Sequence, residues 1–334
     1  MRPLMKVRSC LFAAAILSAA APVSANDSQA ALDIGGLTLQ QSANISLDYE
    51  DLFISADEVR ITYRFTNHGK RDVNTLVAFP LPPQSDPEYN RDFDDLAFRT
   101  TVDGKPVTLT AVDVATVNGR NVETLLKKYG WDRDLVNDPE SHRFFDELPK
   151  ATADAAVRDG LLKRIEDGVT PVWAVQRNIT RQQRFPAGKT VTVTHRYKPM
   201  IGGSVGGGLN REVRLGRDGT AASYAKEYCT DAAFLSAFDR TLAEKQRSSP
   251  DAMGYSETWI NYVLKSGANW KGPIKDFRLV VDKGAPDKLV SFCMDGVRKI
   301  SPTQFEVRKK NFEPTRDLSI LVINWLKADG SDGD

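Results

Sequence analysis

Histidine and cysteine, the residues from which most metal and nucleophilic sites are built, are scarce: three of each in 334 positions. His68, His142 and His195 stand far apart, and no C-x-x-C or H-x-x-x-H spacing occurs, so the ligand grammar of zinc or iron–sulfur centres is missing. Long apolar runs are missing as well. Nothing reaches the ~20 apolar residues that a membrane-spanning helix needs. Charge of one sign is lacking, with 45 Lys+Arg against 44 Asp+Glu. That balance offers no basic field to nucleic acid or anionic lipid.

The chain opens with Arg2, Lys6 and Arg8, an apolar block from Leu11 to Ala21, and Val23-Ser24-Ala25 before Asn26. This is the pattern of a secretory signal peptide, residues 1–25, too short to span a bilayer. Its removal takes away three basic side chains and leaves a formal charge of −2 on 309 residues. Cys10 leaves with it and Asn26 carries no thiol, so no lipid anchor is expected. The mature chain is expected to be periplasmic or secreted. In that oxidising setting the two remaining cysteines, Cys229 and Cys293, are expected to pair, fastening a helix that starts near Thr230 to the strand-like LVSFCM run.

Period-two alternation dominates the mature chain. In Val59–Phe65 the apolar residues Val59, Ile61, Tyr63 and Phe65 share one face, with Arg60, Thr62 and Arg64 on the other. After the turn residues Asn67, His68 and Gly69, Leu76–Leu81 returns as a second apolar run stopped by prolines, which reads as a β-hairpin with one face in a core. Asp103-Gly104 predicts a second hairpin joining Leu96–Val102 to Val107–Val117. Helical spacing appears between about 121 and 168, at Val122, Leu125, Leu126 and Tyr129, then at Val157, Leu161 and Ile165 after a cap at Thr152. Strand grammar resumes through Phe185 and in Thr190–Tyr197. Residues 201–256 are read as a glycine-rich flexible crossing followed by a helix capped by Thr230. From 257 to 326 strands return, and 327–334 form an acidic tail. The expected fold is mainly β, with two β-sandwich domains (26–200 and 257–326) and a helical insertion.

Gly202-Gly203-Ser204-Val205-Gly206 satisfies the G-x-S-x-G pattern of a nucleophile elbow. The triad order requires a histidine after the serine, and all three histidines precede Ser204, so it is expected not to be a nucleophile. Glu50, Asp51, Asp57 and Glu58 invite a glycosidase reading, yet acids at strand ends ordinarily keep sheet edges soluble. Asp94 with Asp95, and the tail aspartates, read as solvated turns and not calcium loops. His195 on an apolar face reads as a hydrogen-bonded core residue. The five tryptophans read as core and not as a carbohydrate platform. No catalytic, cofactor-binding or metal-binding residues are assigned.

The segments NDSQAALDIGGLTLQQSANISLDYEDLFIS, VRITYRFTN, AFPLP, GKTVTVTHRYKP, YVLKSGANWKGPIKDFRLVVDK, SFCMDG and NFEPTRDLSILV together resemble the exported bacterial family known as domain of unknown function 4424. The resemblance covers nearly all of the mature chain and implies an envelope protein with no assigned activity. The AFPLP run followed by GKTVTV is more distantly similar to vault and inter-alpha-trypsin type sandwiches. Taken together, the sequence points to a non-enzymatic exported protein that binds an envelope protein, a glycan or a small ligand. The competing readings are an envelope hydrolase with carboxylates in an interdomain cleft, and a structural subunit of an envelope assembly.

Overall fold

The computed structural model describes residues 27–33, 36–84, 96–138, 140–216, 219–248 and 254–326. The expected signal peptide, Asp94 with Asp95, and the expected acidic tail lie outside the described residues. The fold is mainly β. Its strands are β1 (Ser28–Asp33), β2 (Gly36–Gln40), β3 (Ile45–Ile54), β4 (Val59–Asn67), β5 (Val73–Pro80), β6 (Arg99–Val102), β7 (Lys105–Pro106), β8 (Thr110–Val117), β9 (Arg120–Asn121), β10 (Leu162–Ile165), β11 (Gly168–Pro171), β12 (Ala174–Phe185), β13 (Thr190–Tyr197), β14 (Ile201–Val205), β15 (Tyr255–Tyr262), β16 (Ile274–Asp282), β17 (Leu289–Phe292), β18 (Arg298–Lys299), β19 (Gln304–Phe312) and β20 (Leu318–Trp325).

These strands form a six-stranded sheet ordered β2-β1-β5-β12-β8-β9, an eight-stranded sheet ordered β18-β19-β16-β3-β4-β13-β6-β7, a four-stranded sheet ordered β14-β15-β20-β17, and the hairpin β10-β11. One face of the eight-stranded sheet, with Ile61, Phe65, Val193 and Leu279, packs on Phe79 and Ile179 of the six-stranded sheet and on Ile260 and Ile320 of the four-stranded sheet. Two sandwich-like packings thus share one wide sheet. Their junction is the parallel pairing of β3 with β16, Tyr49–Ile54 beside Asp276–Val281. The sheet therefore runs across the boundary expected near residue 200. Alternation shows which face of a strand is buried, but a parallel pair between segments so distant in sequence leaves no local mark.

Val59, Ile61, Tyr63 and Phe65 are all buried, as their alternation requires. The hairpin expected to follow is not formed, because β4 pairs with β3 and β13 while β5 pairs with β1 and β12 in the opposite sheet. Asn67 makes that crossing, donating its amide to Phe185 O at 2.8 Å and to Arg71 O at 3.0 Å. The Asp103-Gly104 turn does form, with both residues at positive φ (48° and 79°), as a two-residue hairpin requires. It joins β6 only to the two-residue β7, and β8 crosses to the six-stranded sheet.

The insertion holds α1 (Glu123–Tyr129), α2 (Ser141–Asp146) and α3 (Lys150–Arg158) around a core of its own that contains Leu126, Phe145, Leu161 and Trp173. Thr152 lies inside α3 and does not cap it, and Ile165 belongs to β10. Gly160, at φ 78°, ends the helical path before the strand. Beyond β14 come α4 (Arg211–Leu215), α5 (Thr220–Tyr228) and α6 (Ala232–Ser248). The cap of α6 is Asp231, whose carboxylate accepts from Phe234 N at 2.7 Å, and not Thr230. Phe238 carries α6 onto the four-stranded sheet, edge-on to Tyr255 with centroids 4.8 Å apart.

The glycine-rich segment is not a flexible crossing. Its first half is β14, paired along Ile201–Val205 with β15, and its second half wraps the Glu257 side chain. A Cβ on Gly207 would lie 1.8 Å from Glu257 Oε1, and one on Gly208 would lie 2.5 Å from the Tyr224 ring. Close approach, not mobility, explains these glycines. Gly207→Ala is expected to destabilise the fold by about 1–3 kcal/mol, the usual cost of overpacking. An unchanged denaturation midpoint would instead mark the segment as a loose linker.

The six- and eight-stranded sheets are also tied through a buried ion cluster. Asp27, just before β1, accepts from Arg181 of β12 through both guanidinium nitrogens, at 2.9 and 2.6 Å. Its Oδ2 also lies 3.1 Å from Nε2 of His195 on β13, without hydrogen-bond alignment. His195 Nδ1 is 2.8 Å from Thr100 Oγ1, and Arg181 Nε donates to Gln183 Oε1 at 3.1 Å. Burial alone would raise the Asp27 pKa, but the charge and the paired hydrogen bonds of Arg181 outweigh it and hold the carboxyl well below the usual range. For His195, burial lowers the imidazole pKa against the pull of Asp27, which keeps the ring neutral near pH 7.

Removing one partner from such a pair strands the other charge in a dry core, so Asp27→Ala is expected to cost about 3–5 kcal/mol in urea unfolding. The sign with pH follows from the same shifts. The Asp27 contribution is present above its ordinary pKa of 3.8 and is lost as pH falls through the depressed folded value. The unfolded His195 takes up a proton below 6.5 that the folded ring refuses, so acidification through that value also destabilises the fold. A stability profile flat between about pH 7 and pH 5 would contradict the His195 assignment, and one flat below about pH 4 would contradict that of Asp27.

Candidate ligand-binding site

A cavity of about 630 Å³ opens where the N-terminus of α6 meets β17, β19 and β20. Apolar side chains from four elements line it: Phe234 from α6, Val290 and Phe292 from β17, Phe305 and Phe312 from β19, and Leu318 from β20. One wall is the disulfide between Cys229 and Cys293, whose Cα atoms are 5.0 Å apart, within the range a disulfide spans. Cys229 ends α5 in the left-handed conformation and Cys293 follows β17, so the bond fastens the α5–α6 corner to the sheet edge. The helix that runs on from this corner, α6, is the one expected near Thr230.

The rim is charged. Arg316 donates to the carbonyls of Lys226 and Glu227 at 3.1 and 3.0 Å, at the C-terminal end of α5, where a cation complements the helix dipole. Asp317 accepts from the backbone N–H groups of Leu264 and Lys265 at 3.0 and 3.1 Å. Burial pushes its pKa up, against the pull of those two bonds. Asp231 is engaged as the α6 cap, and Lys309 stands 3.9 Å from the exposed Asp295. The arrangement offers an apolar floor and a two-signed rim, suited to holding an amphiphilic molecule.

The residues singled out in the sequence do not converge here. Ser204 lies on β14 in register with Glu257; His195 sits in the ion cluster, His68 Nε2 contacts Ser46 Oγ at 2.7 Å, and His142 is on α2. Adjacent in β3, Glu50 and Asp51 point to opposite faces, the first buried opposite Tyr63 and the second bound to Arg278 at 3.0 Å. Glu58 bridges Arg60 and Arg196, while Asp57 is exposed. Four of the five tryptophans are buried, and half-buried Trp259 donates to Glu257 Oε2 at 2.9 Å. Among the described residues no group of three or more His, Cys, Asp or Glu could hold a metal ion, and no helix is long and apolar enough to cross a membrane. Sequence reading missed Asp27 and Arg181. A signal for Arg181 was present, since a charged residue falls on the inward register of a strand whose neighbours Ile179 and Phe185 are core.

A mainly β protein with an amphipathic side pocket is the class these features define. The chain belongs to the family described as Domain of unknown function (DUF4424), whose model matches residues 25–321. No curated protein matches it. Among solved structures it is similar to a "putative nutrient binding protein" from Legionella pneumophila, at 13% identity and TM-score 0.40 over 90% of this chain and 70% of that one. It is also similar to the M1 zinc metallopeptidase from Deinococcus radiodurans, at 8% identity and TM-score 0.24 over 85% of this chain and 43% of that one. At these values neither likeness carries an argument about activity.

The disulfide closes a loop with a sequence separation of 64, for which the chain-entropy relation gives about 4 kcal/mol. Reductant is therefore expected to lower the melting temperature of the wild type and to leave Cys293→Ala, already lowered, unchanged. Two titratable thiols in the purified, unreduced protein would overturn the pairing.

Proposed function

We propose that the protein is an exported, non-enzymatic binding protein of the periplasm or the extracellular space, and that its ligand is a small amphiphile held beside Cys229–Cys293. The observation that carries this reading is the pocket itself. Its volume falls in the range of small-molecule sites, roughly 300–1,000 Å³, and its aromatic floor and charged rim separate an apolar body from a polar head. A disulfide wall is stable only in an oxidising compartment, which supports export. The likeness of the AFPLP stretch to vault and inter-alpha-trypsin type sandwiches supports an interaction role by analogy alone.

The test is native purification from the envelope or culture fluid, solvent extraction and mass spectrometry of what stays bound. Wild-type protein is expected to carry one recurring amphiphile in near-stoichiometric amount. Val290→Trp, which fills the floor from a half-buried position on β17, is expected to lose it while melting within a few degrees of wild type. Retention of the same compound by Val290→Trp, or empty wild-type protein from its native compartment, would sink the reading.

A further inference from the structure

The outward face of the eight-stranded sheet has a composition that its fold does not require. Cross-strand register places Arg99 beside Arg196 beside Arg60, and one step along the strands Thr101 beside Thr194 beside Thr62. Further along lie Thr192 beside Arg64 and Thr190 beside Thr66. All ten outward positions of β6, β13 and β4 in this register are arginine or threonine: four arginines, six threonines and no carboxylate. Like charges directly opposite one another destabilise a sheet. Glu58 compensates Arg60 and Arg196, so the row as a whole keeps an excess positive charge centred on Arg99, which points to an anionic occupant outside the protein.

We propose that this face binds a phosphate-bearing saccharide. The arginine row crosses three strands spaced ~4.8 Å apart, and guanidinium forks match phosphate oxygens two at a time. Glu58, at the start of β4, bridges Arg60 and Arg196 and offsets one charge, whereas Arg99 is exposed and has no acidic partner among the described residues. The threonine row supplies hydroxyl groups suited to sugar hydroxyls, with Thr101 and Thr194 already 2.7 Å apart, Oγ1 to Oγ1. A groove of about 420 Å³ runs between Arg60 and Arg196 on one side and Arg278, paired with Asp51 at 3.0 Å, on the other, floored by Thr62 and Thr194, and it takes the uncharged ring and not the phosphate. The saccharide's phosphate lies over Arg99 and Arg196, and its ring lies in the groove.

Two other polyanions fit less well. A membrane surface favours apolar anchors beside the cations, and the exposed large hydrophobic residues, Phe144, Ile165, Val205, Leu215, Val297 and Ile300, all lie away from these strands. Single-stranded nucleic acid stacks on open aromatic faces. The nearest rings, Phe53 and Tyr49 on β3, are covered by the guanidinium groups of Arg60 and Arg64, each 4.4 Å from the centroid. The site is separate from the disulfide-walled pocket, and it stands or falls independently of it.

The experiment is a calorimetric and NMR titration of the full exported chain with a phosphomannan oligosaccharide at low ionic strength. The same glycan after phosphatase treatment, inorganic phosphate, and phosphatidylglycerol vesicles form the other arms. Binding is expected for the phosphorylated glycan, weakened by salt over the range that screens exposed charge. Arg99→Ala with Arg196→Ala should weaken it by about tenfold or more, while Arg99→Lys with Arg196→Lys recovers part of the loss. These side chains are exposed, so the melting temperature of each variant should stay near wild type. Equal binding of the dephosphorylated glycan, binding to vesicles only, binding indifferent to the arginine variants, or no binding at all would each overturn the proposal.

Discussion

The parallel contact between β3 and β16 is the constraint on which the rest of the architecture depends. It takes a strand near the start of the folded chain and one near its end and makes them neighbours. β19 and β18 then extend the same sheet. Because one face of that sheet is apolar across its central strands, it has to be covered by both the six-stranded and the four-stranded sheet. The candidate pocket sits at the end where the second cover meets β19 and α6. Closing so long a loop costs entropy that grows only slowly with length, and pairings of this separation are of the kind that slows folding.

The Asp27–Arg181–His195 cluster answers a different need. Two apolar sheet faces can slide against each other with little penalty, whereas Asp27, gripped bidentately by Arg181 within the six-stranded sheet, has one good geometry and sets its carboxylate against His195 of the eight-stranded sheet. Buried ion pairs are poor sources of net stability. Their value here is positional, since the pair fixes the entry to β1 against β12 and β13 and Trp270 Nε1 donates to the Asp27 carbonyl from the other side. The Glu257 carboxylate does something similar on a smaller scale. Tyr224 and Trp259 hold it at 2.7 and 2.9 Å, and the glycine turn closes over it.

The candidate pocket was legible only in part. The disulfide wall could be read from cysteine number and compartment, and the presence of strands from 257 to 326 from their alternation. Their convergence could not be read, because β17, β19, β20 and α6 meet through pairings that no local pattern encodes. The same reason explains why Val59–Leu81 read as a hairpin. Two alternating runs joined by turn residues satisfy a hairpin and a sheet-to-sheet crossing equally, and only the competing partners β3, β13, β1 and β12 decide between them. The glycine segment misled for a related reason. Glycine serves both flexible linkers and close approach, and the side chain that makes the approach, Glu257, is some fifty residues further on.

By itself the sequence determined which residues of each strand face inward, where the helices interrupt the sheets, and that two thiols remain to be paired, because side-chain alternation, helical spacing and residue counts are local properties of the chain. The tertiary structure decided which strands are neighbours, and with them the shared sheet, the pocket and the row of Arg99, Arg196 and Arg60. Each of those three arginines is an ordinary outward residue on its own strand. They become one charged surface only through hydrogen-bonded register, which is set by long-range pairing.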